Sequence, residues 1–256
     1  MRIAVKVGTS TLAYDTYRIN FRRVEALCRV LSDIKNRGHE VVLISSGAIA
    51  MGSGKLHLAA RPTDMPTKQA AAAVGQCELM YVYDDIFSRY NHTVGQVLLT
   101  GSDVNVDDRR RHFCDTMNRL FELGVIPIIN ENDTITTEEI RFGDNDTLAA
   151  IVATNVHCDL LVILSDIDGL YDADPRCNPN AKLLSHVAEI TPEIEALAGQ
   201  HHSTLGTGGM ETKLKAAKLC IAAGVEMIIA NGSDPENLYD ILEGKAVGTV
   251  FGEKKL

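Results

Sequence analysis

Two lysines near opposite ends of the 256-residue chain sit beside runs of small residues. Lys6 is followed by Val7, Gly8, Thr9 and Ser10, and Lys213 closes the run Gly206-Thr207-Gly208-Gly209-Met210-Glu211-Thr212. Small residues let backbone N–H groups come close to a phosphate. The alanine-rich stretch around Lys213 reads as a helix, and a helix N-terminus favours negative charge. The second run fits neither G-x-x-x-x-G-K-[ST] nor G-x-G-x-x-G, because Glu211 stands where a glycine is required. It also follows His201-His202-Ser203-Thr204 rather than a strand. Between the lysines lie Glu131-Asn132-Asp133-Thr134 and Gly143-Asp144-Asn145-Asp146-Thr147, which group carboxylates and amides. Such groups can hold an ammonium, orient lysines or face hydrated Mg²⁺. Two cations facing an anionic centre is what phosphoryl transfer requires. The residues alone point to a phosphotransferase and name no acceptor.

Each of these residues has a simpler reading beside it. Arg2, Ala4 and Lys6 alternate with Ile3, Val5 and Val7, which describes a half-exposed strand with Lys6 in water. Ser46, in Ser45-Ser46-Gly47-Ala48-Ile49-Ala50-Met51-Gly52, reads first as a helix N-cap, and the absence of G-x-S-x-G removes a nucleophile elbow. Asp133, Asp144, Asn145 and Asp146 individually read as turn and cap residues. Asp166-Ile167-Asp168-Gly169 reads equally as a hydrated acidic turn or as a ribose or base contact. The His201-His202 pair has no third ligand at zinc spacing, and no EF-hand spacing occurs.

The elements that must position these residues alternate along the chain. Strand-like runs cover 3–7, 40–45, 93–99, 125–130, 159–165 and 225–230, with helical periodicity over 67–90, 107–123, 145–156, 211–223 and 234–242. The first helix opens at Asn20 as N-cap, carries Phe21, Val24, Leu27, Leu31 and Ile34 on one face, and ends before Gly38. Continuous Val/Ile/Leu strands linked by helices imply an α/β fold with a mostly parallel sheet covered on both faces. Ligands then bind outside the carboxyl ends of the strands, where Gly8-Thr9-Ser10 and Ser45-Ser46-Gly47 fall. Residues 171–190 are the most loop-like segment.

Composition narrows the function classes. A net charge of −9 argues against nucleic acid and anionic membranes, and 5% aromatics with no Trp argues against a single-strand stacking surface. Apolar stretches fall short of the ~18 residues that span a bilayer, and the N-terminus enters a strand pattern without a signal-like core. Six cysteines without a C-x-x-C pair or zinc spacing suit reduced thiols in a cytoplasmic protein.

Taken in order, several uncommon motifs resemble those of the amino acid kinase family. They are Val5-Lys6-Val7-Gly8-Thr9-Ser10, Ser45-Ser46-Gly47-Ala48-Ile49-Ala50, Ala72-Ala73-Val74-Gly75-Gln76 and Ile129-Asn130-Glu131-Asn132-Asp133. The series continues with Gly143-Asp144-Asn145-Asp146 and Asp168-Gly169-Leu170-Tyr171-Asp172-Ala173-Asp174-Pro175, and closes with the 206–213 run. The resemblance covers nearly the whole chain. It implies a three-layer α/β/α sandwich as one domain over 1–256, amino-acid-binding lobe first and nucleotide-binding lobe second.

The activity implied is ATP-dependent phosphorylation of the side-chain carboxylate of L-glutamate to an acyl phosphate that feeds proline synthesis. Lys6 and Lys213 would neutralise the moving phosphoryl group and Asp146 would hold both lysines. ATP would meet Lys6, Gly8, Ser165, Asp166, Thr207, Gly208, Gly209, Met210, Glu211, Thr212 and Lys213. Glutamate would meet Ser46, Asp133 and Asn145, and Mg²⁺ would arrive with ATP rather than on protein ligands. The resemblance also implies proline as a feedback inhibitor and a homo-oligomer, with neither nucleic acid nor membrane as partner. Many members carry a further C-terminal domain of the type found in RNA-modifying proteins. This sequence ends at Leu256 without one, so functions tied to that domain are not expected of it. Relatives acting on N-acetylglutamate, aspartate, carbamate or a nucleoside monophosphate are the nearest alternatives. Aspartate kinases open on Lys-Phe-Gly-Gly, whereas Lys6 here precedes Val-Gly-Thr. A non-catalytic sensor on the same scaffold would have no need of both Lys6 and Lys213.

Overall fold

Strand-forming runs of Val, Ile and Leu set the frame. In the computed structural model, which describes residues 1–136, 144–175, 177–198 and 209–254, they become β1 (Arg2–Val7), β2 (Glu40–Ile44), β3 (Val94–Leu99), β4 (Ile126–Glu131), β5 (Leu160–Ser165) and β7 (Glu226–Asn231). All six lie parallel in one eight-stranded sheet of order β3-β4-β2-β1-β5-β7-β8-β6. The other two strands, β6 (His186–Val187) and β8 (Thr249–Phe251), carry no periodic signal because they are so short. β8 runs antiparallel to β7 and adds β6 at the edge.

Helices cover both faces, giving the three-layer α/β/α sandwich. One layer holds α1 (Thr9–Leu12), α2 (Phe21–Asn36), α3 (Ala48–Lys55), α4 (Met65–Arg89) and α10 (Asn237–Leu242). The other holds α5 (Gly101–Asn105), α6 (Asp107–Glu122), α7 (Asn145–Asn155), α8 (Pro192–Ala198) and α9 (Met210–Ala222). Along β1, Ile3, Val5 and Val7 face the first layer while Ala4 faces the second. The sheet is therefore buried on both sides, as parallel sheets require. α2 begins as its sequence indicates, with the Asn20 side chain accepting from the Arg23 N–H. Phe21, however, is largely exposed: it is the first helical residue and points away from the stripe formed by Val24, Leu27, Leu31 and Ile34. All six cysteines are free thiols. Burial pushes Cys158 and Cys220 up to about 12.

α3 and α4 touch at two glycines. A Cβ at Gly75 would lie 1.8 Å from the Ala48 carbonyl oxygen, and one at Gly52 would lie 1.7 Å from that of Ala71. Backbone meets backbone here, so no side chain can turn aside. Gly75→Ala is therefore expected to force the helices apart and lower stability by about 3 kcal/mol, the upper part of the range for overpacked cores. For a chain of this size that corresponds to a fall in melting temperature of roughly 6–12 °C. A melting temperature within a degree of the unaltered protein would show that the helices separate freely.

Candidate active site

β1 lies where the strand order reverses, with β2 on one side and β5 on the other. Open parallel sheets bind ligands beyond the carboxyl ends of such strands. Lys6 is the next-to-last residue of β1, and the half-exposed reading of that strand does not hold: the lysine is only 8% exposed. The face it shares with Ala4 is covered by the helices of the second layer, so alternation there does not mean solvent.

Asp146, fully buried in the first turn of α7, meets two ammonium groups. Lys6 Nζ lies 2.6 Å from its Oδ1, as an ion pair rather than an aligned hydrogen bond. Lys213 Nζ donates to Oδ2 at 3.1 Å from inside α9. The Thr212 hydroxyl is 2.9 Å from the same Oδ2 and 2.8 Å from the Gly209 carbonyl, and its one proton serves one acceptor at a time. Burial by itself would raise the Asp146 pKa, but Lys6 and Lys213 outweigh it and hold the carboxyl well below the usual range. The α7 N-terminus favours the same charged form. Two ammonium groups from distant parts of the chain thus share one buried carboxylate. Removing such ions from water costs several kcal/mol each, and stability alone does not account for assembling them.

Asn145 and Ser46 come together on the amino-acid side. Asn145 Nδ2 is 2.7 Å from the Ser45 carbonyl, 2.9 Å from Ser46 Oγ and 2.9 Å from Asn130 Oδ1. Ser46 is not the N-cap of α3; that position belongs to Gly47, whose φ of +95° lies in the left-handed region. The serine hydroxyl is thus turned toward α7. Asp144, in contrast, is a cap: its carboxylate accepts from the Thr147 N–H at 2.7 Å and its hydroxyl at 3.0 Å. Burial raises the Asp144 pKa. Asp133 is half-buried in the turn after β4, whose backbone is tied down by the Asn132 N–H bond to the Leu99 carbonyl.

On the other flank, Ser165 ends β5 and donates to Asp166 Oδ1 at 3.1 Å. Gly209 caps α9, Glu211 is exposed, and the Met210 side chain lies in the core. Thr207 and Gly208 lie outside the described residues, as do Gly206 and the His201-His202 pair. A Cβ at Gly8 would stand 3.8 Å from Lys6 Nζ, so the missing side chain leaves room for an anion beside that ammonium. Among the described residues no group of three His, Cys, Asp or Glu is arranged to hold a metal.

Two further residues, Asn130 and Asn231, carry no reading of their own in the sequence. Asn130, at the end of β4, bonds Asn145 and also donates to Gln76 Oε1 at 2.9 Å. Asp168 is held by Tyr171 Oη at 2.9 Å and Asn231 Nδ2 at 2.7 Å. The available signal for Asn130 and Asn231 was an amide closing an otherwise apolar strand.

Residues 1–231 match the family model described as the amino acid kinase family. The chain is 55% identical over 258 aligned residues to a protein of Clostridium perfringens named glutamate 5-kinase, covering 99% of this chain and 96% of the relative. A Listeria welshimeri protein of the same name is 51% identical, with 99% and 94% covered. Among solved structures, the isopentenyl phosphate kinase of T. acidophilum superposes with a TM-score of 0.68 at 18% identity, covering 98% of this chain and 99% of the other, a likeness of fold alone. With these matches, and with two lysines gathered on one aspartate at the carboxyl end of a mostly parallel sheet, the chain belongs to the amino acid kinase family.

Proposed function

We propose that the protein transfers the γ-phosphoryl group of ATP to the side-chain carboxylate of L-glutamate, forming L-glutamyl 5-phosphate and ADP. The single observation that carries this reading is the buried Lys6–Asp146–Lys213 cluster, with two ammonium groups held on one carboxylate and room beside Lys6 at Gly8. A phosphoryl group in flight spreads negative charge over its equatorial oxygens, and fixed cations stabilise that charge without reorganising. Asp146 acts as organiser. The attacking carboxylate is already deprotonated near pH 7, so no general base is needed. Ser46, Asn145 and Asp133 hold glutamate, the first two from one hydrogen-bonded unit and the third through its charge toward the ammonium. Gly8, Ser165, Asp166 and the 207–213 segment take the nucleotide. Mg²⁺ enters with ATP, ligated by phosphate oxygens and water.

The half of the chain leading to α7 then serves as the amino-acid lobe and the remainder as the nucleotide lobe of one domain. The same reading takes in a role in proline biosynthesis, proline as feedback inhibitor and a homo-oligomeric enzyme. Free thiols at all six cysteines support a cytoplasmic setting. No helix of the described residues is long and apolar enough to cross a membrane.

The test is acyl phosphate formation with Mg²⁺ and ATP, trapped as the hydroxamate. Free glutamate brings an ammonium group that Asp133 can pair with, whereas N-acetylglutamate brings a neutral, bulkier amide. Leaving a carboxylate without its cation is costly, so a preference for glutamate of roughly two to three orders of magnitude is expected. Asp133→Asn should narrow it chiefly by raising KM for glutamate. Equal turnover of both substrates, or turnover of a nucleoside monophosphate alone, would overturn the assignment and leave the fold untouched.

A further inference from the structure

The amide chain at the amino-acid side ends in an unused donor. Each link fixes the orientation of the next. The Glu131 N–H donates to Asn130 Oδ1 at 2.9 Å, so Asn130 must turn its Nδ2 the other way. That Nδ2 donates to Gln76, which must therefore present Oε1 to it. Gln76 Nε2 is left over. The residue is only 7% exposed, and this nitrogen has no hydrogen-bond partner among the described residues. A buried N–H without an acceptor is unfavourable, and native proteins keep few of them outside functional sites.

Gln76 is delivered here by the close approach of the helices. It follows Gly75, which lies against the Ala48 carbonyl, so α4 is drawn down onto the start of α3 just beyond Ser46 and Gly47. Through Asn130 it belongs to the same bonded unit as Asn145 and Ser46. A donor with a fixed direction and no charge of its own calls for an acceptor on the ligand. Of the groups on an amino acid with two carboxylates, only the carboxylate oxygens fill that role at neutral pH, since the ammonium is a donor itself.

We propose that Gln76 is a substrate-contact residue whose Nε2–H donates to a carboxylate oxygen of the bound amino acid. This rests on the glutamate reading above. Two substitutions separate contact from mere support. Gln76→Glu keeps an oxygen for Asn130 to donate to, but replaces the donor with a negative oxygen facing the substrate. Gln76→Met loses both bonds without adding charge.

The experiment measures kcat, KM for glutamate, KM for ATP and melting temperature for the unaltered enzyme and both variants. Gln76→Glu is expected to raise KM for glutamate roughly 10- to 100-fold, the scale of a lost hydrogen bond to a charged group, with a smaller rise for Gln76→Met. KM for ATP should stay within about twofold in both. If Gln76 only supports Asn130, the order reverses: Gln76→Glu keeps its affinity for glutamate and Gln76→Met loses it. That order, near-normal KM in both, or parallel rises in both KM values would overturn the proposal. Should Gln76→Glu fail to fold, Gln76→Met is compared with and without Asn130→Leu. A contact raises KM for glutamate by a similar factor in both backgrounds, whereas a purely supporting role adds nothing once Asn130 is gone, and that second outcome overturns the proposal. An unaltered enzyme that makes no hydroxamate from glutamate would instead remove the substrate reading, and this proposal with it.

Discussion

Alanine in place of Lys6 or Lys213 is expected to lower kcat by roughly 10²–10³-fold, the scale seen when one preorganised donor to a developing anion is removed. Both ammonium groups are anchored on a carboxylate that cannot move into solvent, so neither lysine can substitute for the other. The two losses should be far from additive, because the lysines and Asp146 act as one unit. Either single variant should still fold. Asp146 keeps the remaining lysine and the Thr212 hydroxyl, 2.9 Å from Oδ2. The double variant strands a fully buried carboxylate with the threonine alone and should lose about 3–5 kcal/mol, the cost of breaking a buried pair. Near-normal kcat in a folded single variant would show that its lysine balances Asp146 and nothing more.

Asp146→Asn is expected to lower both kcat and stability, with a pH signature that separates an organiser from a base. At neutral pH the asparagine removes the carboxylate that Lys6 and Lys213 share, and a loss of about 3–5 kcal/mol follows. The aspartate's contribution depends on pH in a definite direction. Its folded pKa is held below the unfolded value, so the unfolded state takes up the proton first as pH falls. The stabilisation is therefore complete above the unfolded pKa of about 4 and is lost progressively below it. The gap in stability between Asp146→Asn and the unaltered protein should stay level from about pH 8 to 5 and narrow below pH ~4. A gap constant down to pH 3 would mean that the carboxyl is not held below its ordinary range. On the kinetic side, the kcat profile should gain no acidic limb in the variant. A base titrating near neutrality in the unaltered enzyme, and missing from the variant, would make Asp146 a proton acceptor instead.

What the sequence determined by itself is local. Six of the eight strands among the described residues were legible because they are rich in Val, Ile and Leu, and their ends shifted by at most one residue. α2 was legible from its cap and stripe, since both are set within a few turns of the chain. Asp144 behaved as the cap its neighbours suggested. The ordered motifs carried the family as well. The tertiary structure decided everything that depends on partners distant in the chain. Lys6 alternates like a surface residue and is buried, because the covering layer of its face comes from segments far along the sequence. Ser46 precedes a helix without capping it, because the amide that binds its hydroxyl is 99 residues away. β6 and β8 are too short to show a period and exist only where β7 offers an edge. Gln76 sits among alanines in a helix and looks like any polar surface residue. Only the glycine contact that brings α4 onto α3, and the Asn130 amide waiting there, turn it inward. Periodicity records which way a side chain leaves its own backbone, whereas burial and pairing are set by the elements that arrive from elsewhere.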